Sequence, residues 1–164
     1  MGAYAGSALT TGDNTVAIGR YALKDCSTGS GNVAVGLNAL ETCTTGSNNV
    51  AMGTQALESL TTQNDTVAIG YQALQSLTTG AGNCAVGMLA GAVLTTGNDN
   101  TIVGYYAADV MSTGRNNTVI GSNAGGGLTG GYDNTFVGRV AGQTESTGYP
   151  VSYTHLRAHE TRSY

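Results

Sequence analysis

A glycine recurs every 17 residues along this chain without a slip, from Gly2 through Gly19, Gly36, Gly53, Gly70, Gly87, Gly104 and Gly121 to Gly138. An alanine follows three residues after each of them, from Ala5 to Ala141. Nine in-phase copies with no insertion require each unit to stack on the last in one geometry, so the chain is quasi-one-dimensional. Such a protein acts through the surface its columns present rather than through one pocket.

Counting from each ruler glycine as position zero, position −1 is always a large aliphatic residue, as in Ile18, Val35, Met52 and Ile69. Position −3 runs from Val16 through Val33, Val50, Val67 and Cys84 to Thr101, Thr118 and Thr135. Side chains alternate along a strand, so −1 and −3 share one face and −2 takes the other. Position −2 is apolar too, as Ala17, Ala34, Ala51, Ala68, Ala85, Ile102, Val119 and Phe136. A strand apolar on both faces is expected to be buried on both, and other copies of the chain would supply the missing cover. The glycine turns the chain, tolerating positive φ. A second strand is predicted through the alanine at +3 to an apolar residue at +7, such as Cys26, Cys43, Leu60 or Leu94. A Thr-Thr-Gly turn and an Asn- or Asp-rich stretch then lead into the next unit. Two strands and two turns in 17 residues make one coil of an all-β parallel β-solenoid, here of nine coils.

Two columns change in concert. Where −2 is alanine, +4 is leucine in Ala17/Leu23, Ala34/Leu40, Ala51/Leu57 and Ala68/Leu74. Where −2 is bulky, +4 is small, in Ile102/Ala108, Val119/Gly125 and Phe136/Gly142, with Ala85/Gly91 as the exception. Close packing penalises both gaps and overfilling, so −2 and +4 are predicted to touch in one compartment, with −1 and −3 on the other side.

The ruler also judges the ends. Met1 sits where Ile18 and Met52 sit in the repeat, and is expected to be an internal residue. From Val151 the period stops, and the string Val151 to Thr161 resembles a translation of transposase-end and primer sequence from short-read libraries. Residues 1–149 are therefore expected to be the repeat array, a slice of a longer fibre, and 150–164 a non-native tail to be set aside from fold reasoning. Both histidines, His155 and His159, fall in that tail beside Glu160. Their spacing would suit zinc on a helix, but the tail assignment removes that reading, and residues 1–150 hold no histidine.

Charge excludes further classes. The net charge is −4, only 10% of residues are charged, and residues 1–150 carry four basic against nine acidic side chains. That balance gives no basic patch for nucleic acid, and no apolar run approaches the ~20 residues of a membrane span. Gly29-Ser30-Gly31 and Gly125-Gly126-Gly127 precede no Lys-Ser/Thr pair and make no phosphate loop. Asn64-Asp65-Thr66 and Asn116-Asn117-Thr118 match glycosylation acceptors, but turn chemistry explains them. Cys26 and Cys43 share the +7 column with Leu and Met, so they are read as free core thiols rather than a disulfide. No catalytic, cofactor or metal residue is expected. A β-helix acyltransferase would want a base such as histidine. Stacked Thr-Thr pairs invite an ice-binding reading, though adjacent threonines in a strand face opposite ways. The candidate ligand contacts lie at +1 and +2: Tyr71, Tyr105, Tyr106, Arg20 and Arg139.

The runs Asn14-Thr-Val-Ala-Ile-Gly19, Asp65-Thr-Val-Ala-Ile-Gly70 and Asn117-Thr-Val-Ile-Gly121 resemble head repeats of trimeric autotransporter adhesins of the YadA-like type, and similar arrays in phage tail-fibre proteins. The resemblance covers residues 1–149, although this unit is a few residues longer than the usual adhesin head unit. It implies a left-handed β-roll that trimerises, extracellular on a bacterial surface. As a segment of an adhesin head it would bind a host surface protein or glycan. The alternative it implies is a receptor-binding segment of a phage tail fibre, carried on the virion; an ice-binding solenoid ranks below both.

Overall fold

The computed structural model describes residues 2–144 and the backbone of 152–154. One three-residue strand forms per repeat: β1 Val16–Ile18, β2 Val33–Val35, β3 Val50–Met52, β4 Val67–Ile69, β5 Cys84–Val86, β6 Thr101–Val103, β7 Thr118–Ile120 and β8 Thr135–Val137. These strands are parallel, in sequence order, and each residue pairs with the one 17 further on, as Ala34 with Ala51. The protein is thus a parallel β-solenoid, with seven coils complete between β1 and β8. A ninth strand, β9 Ser152–Thr154, joins the edge of β8 with Ser152 beside Thr135. It lies inside the stretch read above as a foreign tail. Edge pairing uses backbone groups and is indifferent to side-chain identity. Tail residues 150, 151 and 155–164 lie outside the described residues, His155 and His159 among them.

The ruler glycines now have a physical reason. From Gly19 to Gly138 they stand at φ between 129° and 141°, a region essentially closed to other residues. A Cβ on Gly53 would also meet the carbonyl of Gly70, its carbon only 2.6 Å away. The carbonyl of each ruler glycine occupies the space beside the one before it.

The expected second strand is absent from the described coils. The segment after each glycine is a run of turns, because +2 and +4 both adopt left-handed φ, as in Gln72 (53°) and Leu74 (50°). Its backbone is still saturated between coils. Gln72 N–H donates back to Thr54 O at 2.9 Å, and Leu74 N–H donates forward to Ala90 O at 3.0 Å. Left-handed backbone costs a leucine about 1–2 kcal/mol. Full burial of the side chain returns about 2–3 kcal/mol, and Leu23, Leu40, Leu57 and Leu74 are all fully buried. Burial wins.

The interior is built from −2, +3, +4 and +7, which form one continuous core from Ala22 to Ala141. The volume exchange between −2 and +4 reflects contact. A Cβ on Gly142 would lie 2.6 Å from Phe136 Cδ1, and one on Gly125 would lie 3.1 Å from Val119 Cγ1. The exception resolves as well. A Cβ on Gly91 would meet both Ile102 Cδ1 and Leu74 Cδ2 at 2.9 Å, so the coils on either side fill the room its own Ala85 leaves. Replacing Phe136 by Ala is expected to cost about 3–5 kcal/mol. Adding Gly142→Leu should recover at least a third of that loss, by recreating the Ala34/Leu40 arrangement. Urea unfolding of the two variants checks this, and no recovery would contradict it.

The −4 column was not recognised from sequence as part of the interior. Asn32, Asn49, Asn83, Asn100, Asn117 and Asn134 are buried there, with Thr66 taking the same place in one coil. The side-chain amides of Asn32, Asn49, Asn83, Asn100 and Asn117 each serve at least two neighbours. Asn100 Nδ2 donates to Gly114 O at 2.8 Å and to Asn83 Oδ1 at 2.9 Å, while Asn100 Oδ1 accepts from Asn117 N–H at 3.0 Å. Among the described residues no buried side-chain nitrogen or oxygen lacks a partner. A satisfied amide ladder adds registry to a column that apolar packing alone would let slide.

Candidate functional site

Three surfaces run along the stack. The first is the outer face of the sheet, formed by −1 and −3. The expectation of burial on both strand faces is met only on the −2 side: Ile18 is 51% exposed, Ile69 38% and Met52 41% in the single chain. Coil curvature decides this, because a coil closes around one face of its strand and leaves the other outside. The outcome is an aliphatic stripe continued in Ile120 and Val137.

The second surface is the threonine edge. Hydroxyls at +8 bond from coil to coil, Thr10 Oγ1 donating to Ser27 O at 2.8 Å and Thr95 Oγ1 to Ser112 O at 2.9 Å. Thr28, Thr45, Thr79 and Thr96 of the +9 column face outward, and Thr10 and Thr44 of the +8 column are exposed as well. Of the two glycosylation matches, Asn64 is exposed but its Thr66 is fully buried.

The third surface is the corner after the ruler glycine, where the sequence placed its candidate contacts. Tyr71 is 45% exposed, Tyr105 is 51% exposed and Tyr106 is half-buried. Tyr105 and Tyr106 touch at 4.5 Å between ring centroids, tilted by 58°. The Tyr106 phenol also lies within electrostatic reach of Asp109 and Tyr71. Burial raises the Asp109 carboxyl above the usual range. The structure therefore brings Tyr71, Tyr105 and Tyr106 together within two coil steps, about 10 Å at ~4.8 Å per coil. Arg20 and Arg139 share the +1 column on either side of the tyrosines, Arg20 three coil steps before Tyr71 and Arg139 two beyond Tyr105. Seven coils, about 34 Å, separate them. Arg20 is engaged by Tyr21, its Nη2 donating to Tyr21 Oη at 2.9 Å with the guanidinium over the ring. Tyr21 stacks in turn on Tyr4 at 5.3 Å.

Beside the tyrosines lies a polar network that the sequence reading missed. Glu58 accepts from Gln75 Nε2 at 2.7 Å, Asn38 Nδ2 at 3.0 Å and Gln55 Nε2 at 3.0 Å, and Gln72 Nε2 donates to Gln55 Oε1 at 3.0 Å. Burial pushes the Glu58 carboxyl up, but the three amide donors outweigh it and hold the group below its ordinary value. The signal was present: Gln55/Glu58 and Gln72/Gln75 occupy +2 and +5 in successive coils. It becomes readable only once coils are known to stack in register.

Elsewhere the chemistry is sparse. Cys26 and Cys43 are free and buried, and Cys84 is free on the outer face. Burial, then the neighbouring Cys26, pushes the Cys43 thiol up to about 12, leaving it a poor nucleophile. Among the described residues no group of three or more His, Cys, Asp or Glu side chains could hold a metal ion, and no helix is long and apolar enough to cross a membrane. Compared with family models, curated proteins and solved structures, the chain matches none.

Proposed function

We propose that this chain is a head segment of a bacterial surface adhesin, a left-handed β-roll that associates as a homotrimer and attaches its cell to a host or matrix ligand. The observation that carries the reading is the aliphatic stripe at −1, flanked at −3 by valine in the first coils and threonine in the last. Every coil places aliphatic residues on the same outward line, and the exposed members Ile18, Met52, Ile69, Ile120 and Val137 span the described solenoid. A continuous apolar band that runs through every coil marks an interface. Because it recurs at one position in every coil, a band on a second and third copy of the chain fits it in register. Parallel bundling yields a stiff rod that presents the same flank on each of its chains, so weak contacts multiply into avidity.

Sedimentation equilibrium on the full chain is expected to give a particle of three chains. Ile69→Lys with Ile120→Lys should convert it to monomer at micromolar concentration, and a wild-type monomer would overturn the trimer. Beads coated with the chain should adhere to epithelial cells or matrix-coated plates. Adherence to bacterial cells instead would favour the tail-fibre reading.

A further inference from the structure

We propose that the corner formed by Tyr71, Met88, Tyr105 and Tyr106 is a binding face for an uncharged oligosaccharide. This rests on the adhesin reading and names the class of ligand. The first argument is column chemistry. Position −1 keeps one character in every coil, as a face that packs against identical coils must. Position +1 does not: it reads Arg20, Leu37, Thr54, Tyr71, Met88, Tyr105, Ser122, Arg139. A column that changes from coil to coil serves particular places on the rod rather than the rod as a whole.

The second argument is what stands there. Tyr71 and Tyr105 present rings to solvent with exposed Met88 between them, and Tyr106 props Tyr105 from the side. Exposed rings of this kind offer apolar faces to the C–H surface of a pyranose while their hydroxyls stay wet. The amides of Gln72 and Gln75, on the coil that carries Tyr71, are held in place by Gln55 and Glu58. Oriented amides beside an aromatic platform are the partners that sugar hydroxyls require.

The third argument selects charge. Across the coils from Tyr71 to Tyr106 there is no lysine or arginine, Arg139 of the same column standing two coil steps beyond Tyr105, whereas Asp109 lies within electrostatic reach of Tyr106 and Glu58 holds Gln75. On the coils of Tyr71, Met88 and Tyr105 themselves a sialylated or sulfated glycan would meet carboxylates and no cation, so the ligand is neutral.

The test is a glycan array probed with the full chain, carrying neutral tetrasaccharides of glucose, mannose, galactose and N-acetylhexosamine beside sialylated and sulfated counterparts. Saturable binding to at least one neutral tetrasaccharide is expected. Tyr105→Ala and Tyr71→Ala should each weaken it tenfold or more, while Tyr4→Ala, at the far end of the solenoid, leaves it unchanged. Circular dichroism melts confirm that each variant is folded. Binding confined to acidic glycans, binding that survives both tyrosine substitutions, or no binding overturns the inference. Attachment of coated beads to cells stripped of glycans would sink the oligosaccharide while leaving the adhesin reading standing. Loss of attachment to every surface would sink the adhesin reading.

Discussion

Gly70→Ala is expected to destabilise the solenoid by about 4 kcal/mol, a large effect for one methyl group. Two costs add. Gly70 sits at φ 138°, and forcing an alanine into that region costs about 1–3 kcal/mol. The new Cβ also meets the Gly87 carbonyl, with the carbonyl carbon 2.6 Å away and Met88 N 3.1 Å away. These are backbone atoms of the next coil, so relief requires the coils to part, and overpacking of this kind costs about 1–3 kcal/mol more. Gly126→Ala is the matched control. Gly126 has no left-handed φ and lies at +5, where Ala92 already stands in another coil. Urea unfolding followed by far-ultraviolet circular dichroism should move the midpoint sharply for Gly70→Ala and little for Gly126→Ala. In a quasi-one-dimensional protein, a broken interface between coils also separates cooperative blocks. The Gly70→Ala transition should therefore broaden or split. An unchanged midpoint would show that the φ and the close approach are not binding constraints.

The second large effect lies in the amide ladder. Asn100→Ala removes the acceptor for Asn117 N–H and the donor to Gly114 O, both inside the solenoid. An orphaned buried polar group costs about 1–3 kcal/mol, so the substitution should cost about 2–5 kcal/mol. Asn100→Thr should cost less, for a reason the chain itself displays. At Thr66 the backbone N–H still donates to Asn49 Oδ1 at 3.1 Å, and the hydroxyl donates to Asn64 O at 3.2 Å. That coil also carries Gln63 where its neighbours have Gly46 and Gly80. A Cβ on Gly46 would meet Asn49 Nδ2 at 3.2 Å, and the shorter Thr66 removes the corresponding amide. Thermal melts of Asn100→Ala and Asn100→Thr measure the ranking. Equal stability of Asn100→Ala and wild type would mean that the ladder contributes nothing.

The candidate site was legible by residue type and only partly by place. Tyr71, Tyr105 and Tyr106 belong to columns visible in the sequence, and stacking puts them side by side. Arg20 and Arg139 belong to the same column, yet the coil rise carries them to opposite ends. The amides around Glu58 were not legible, because their partners are 17 or 20 residues away, or three within a coil, and nothing local ties them together.

By itself the sequence determined the period, the parallel stacking, the core column at +7 and the contact between −2 and +4. All of these follow from identity repeated at one spacing and from volume conserved between columns. Tertiary structure alone decided which strand face is inside, that −4 is a buried polar ladder, and that the second segment turns rather than extends. The reason is common to all three. Leu23, Leu40, Leu57 and Leu74 adopt a backbone their own propensity disfavours, because burial and hydrogen bonds to adjacent coils reward it. The direction in which each coil closes is set by those contacts between coils, and no window of one repeat contains them.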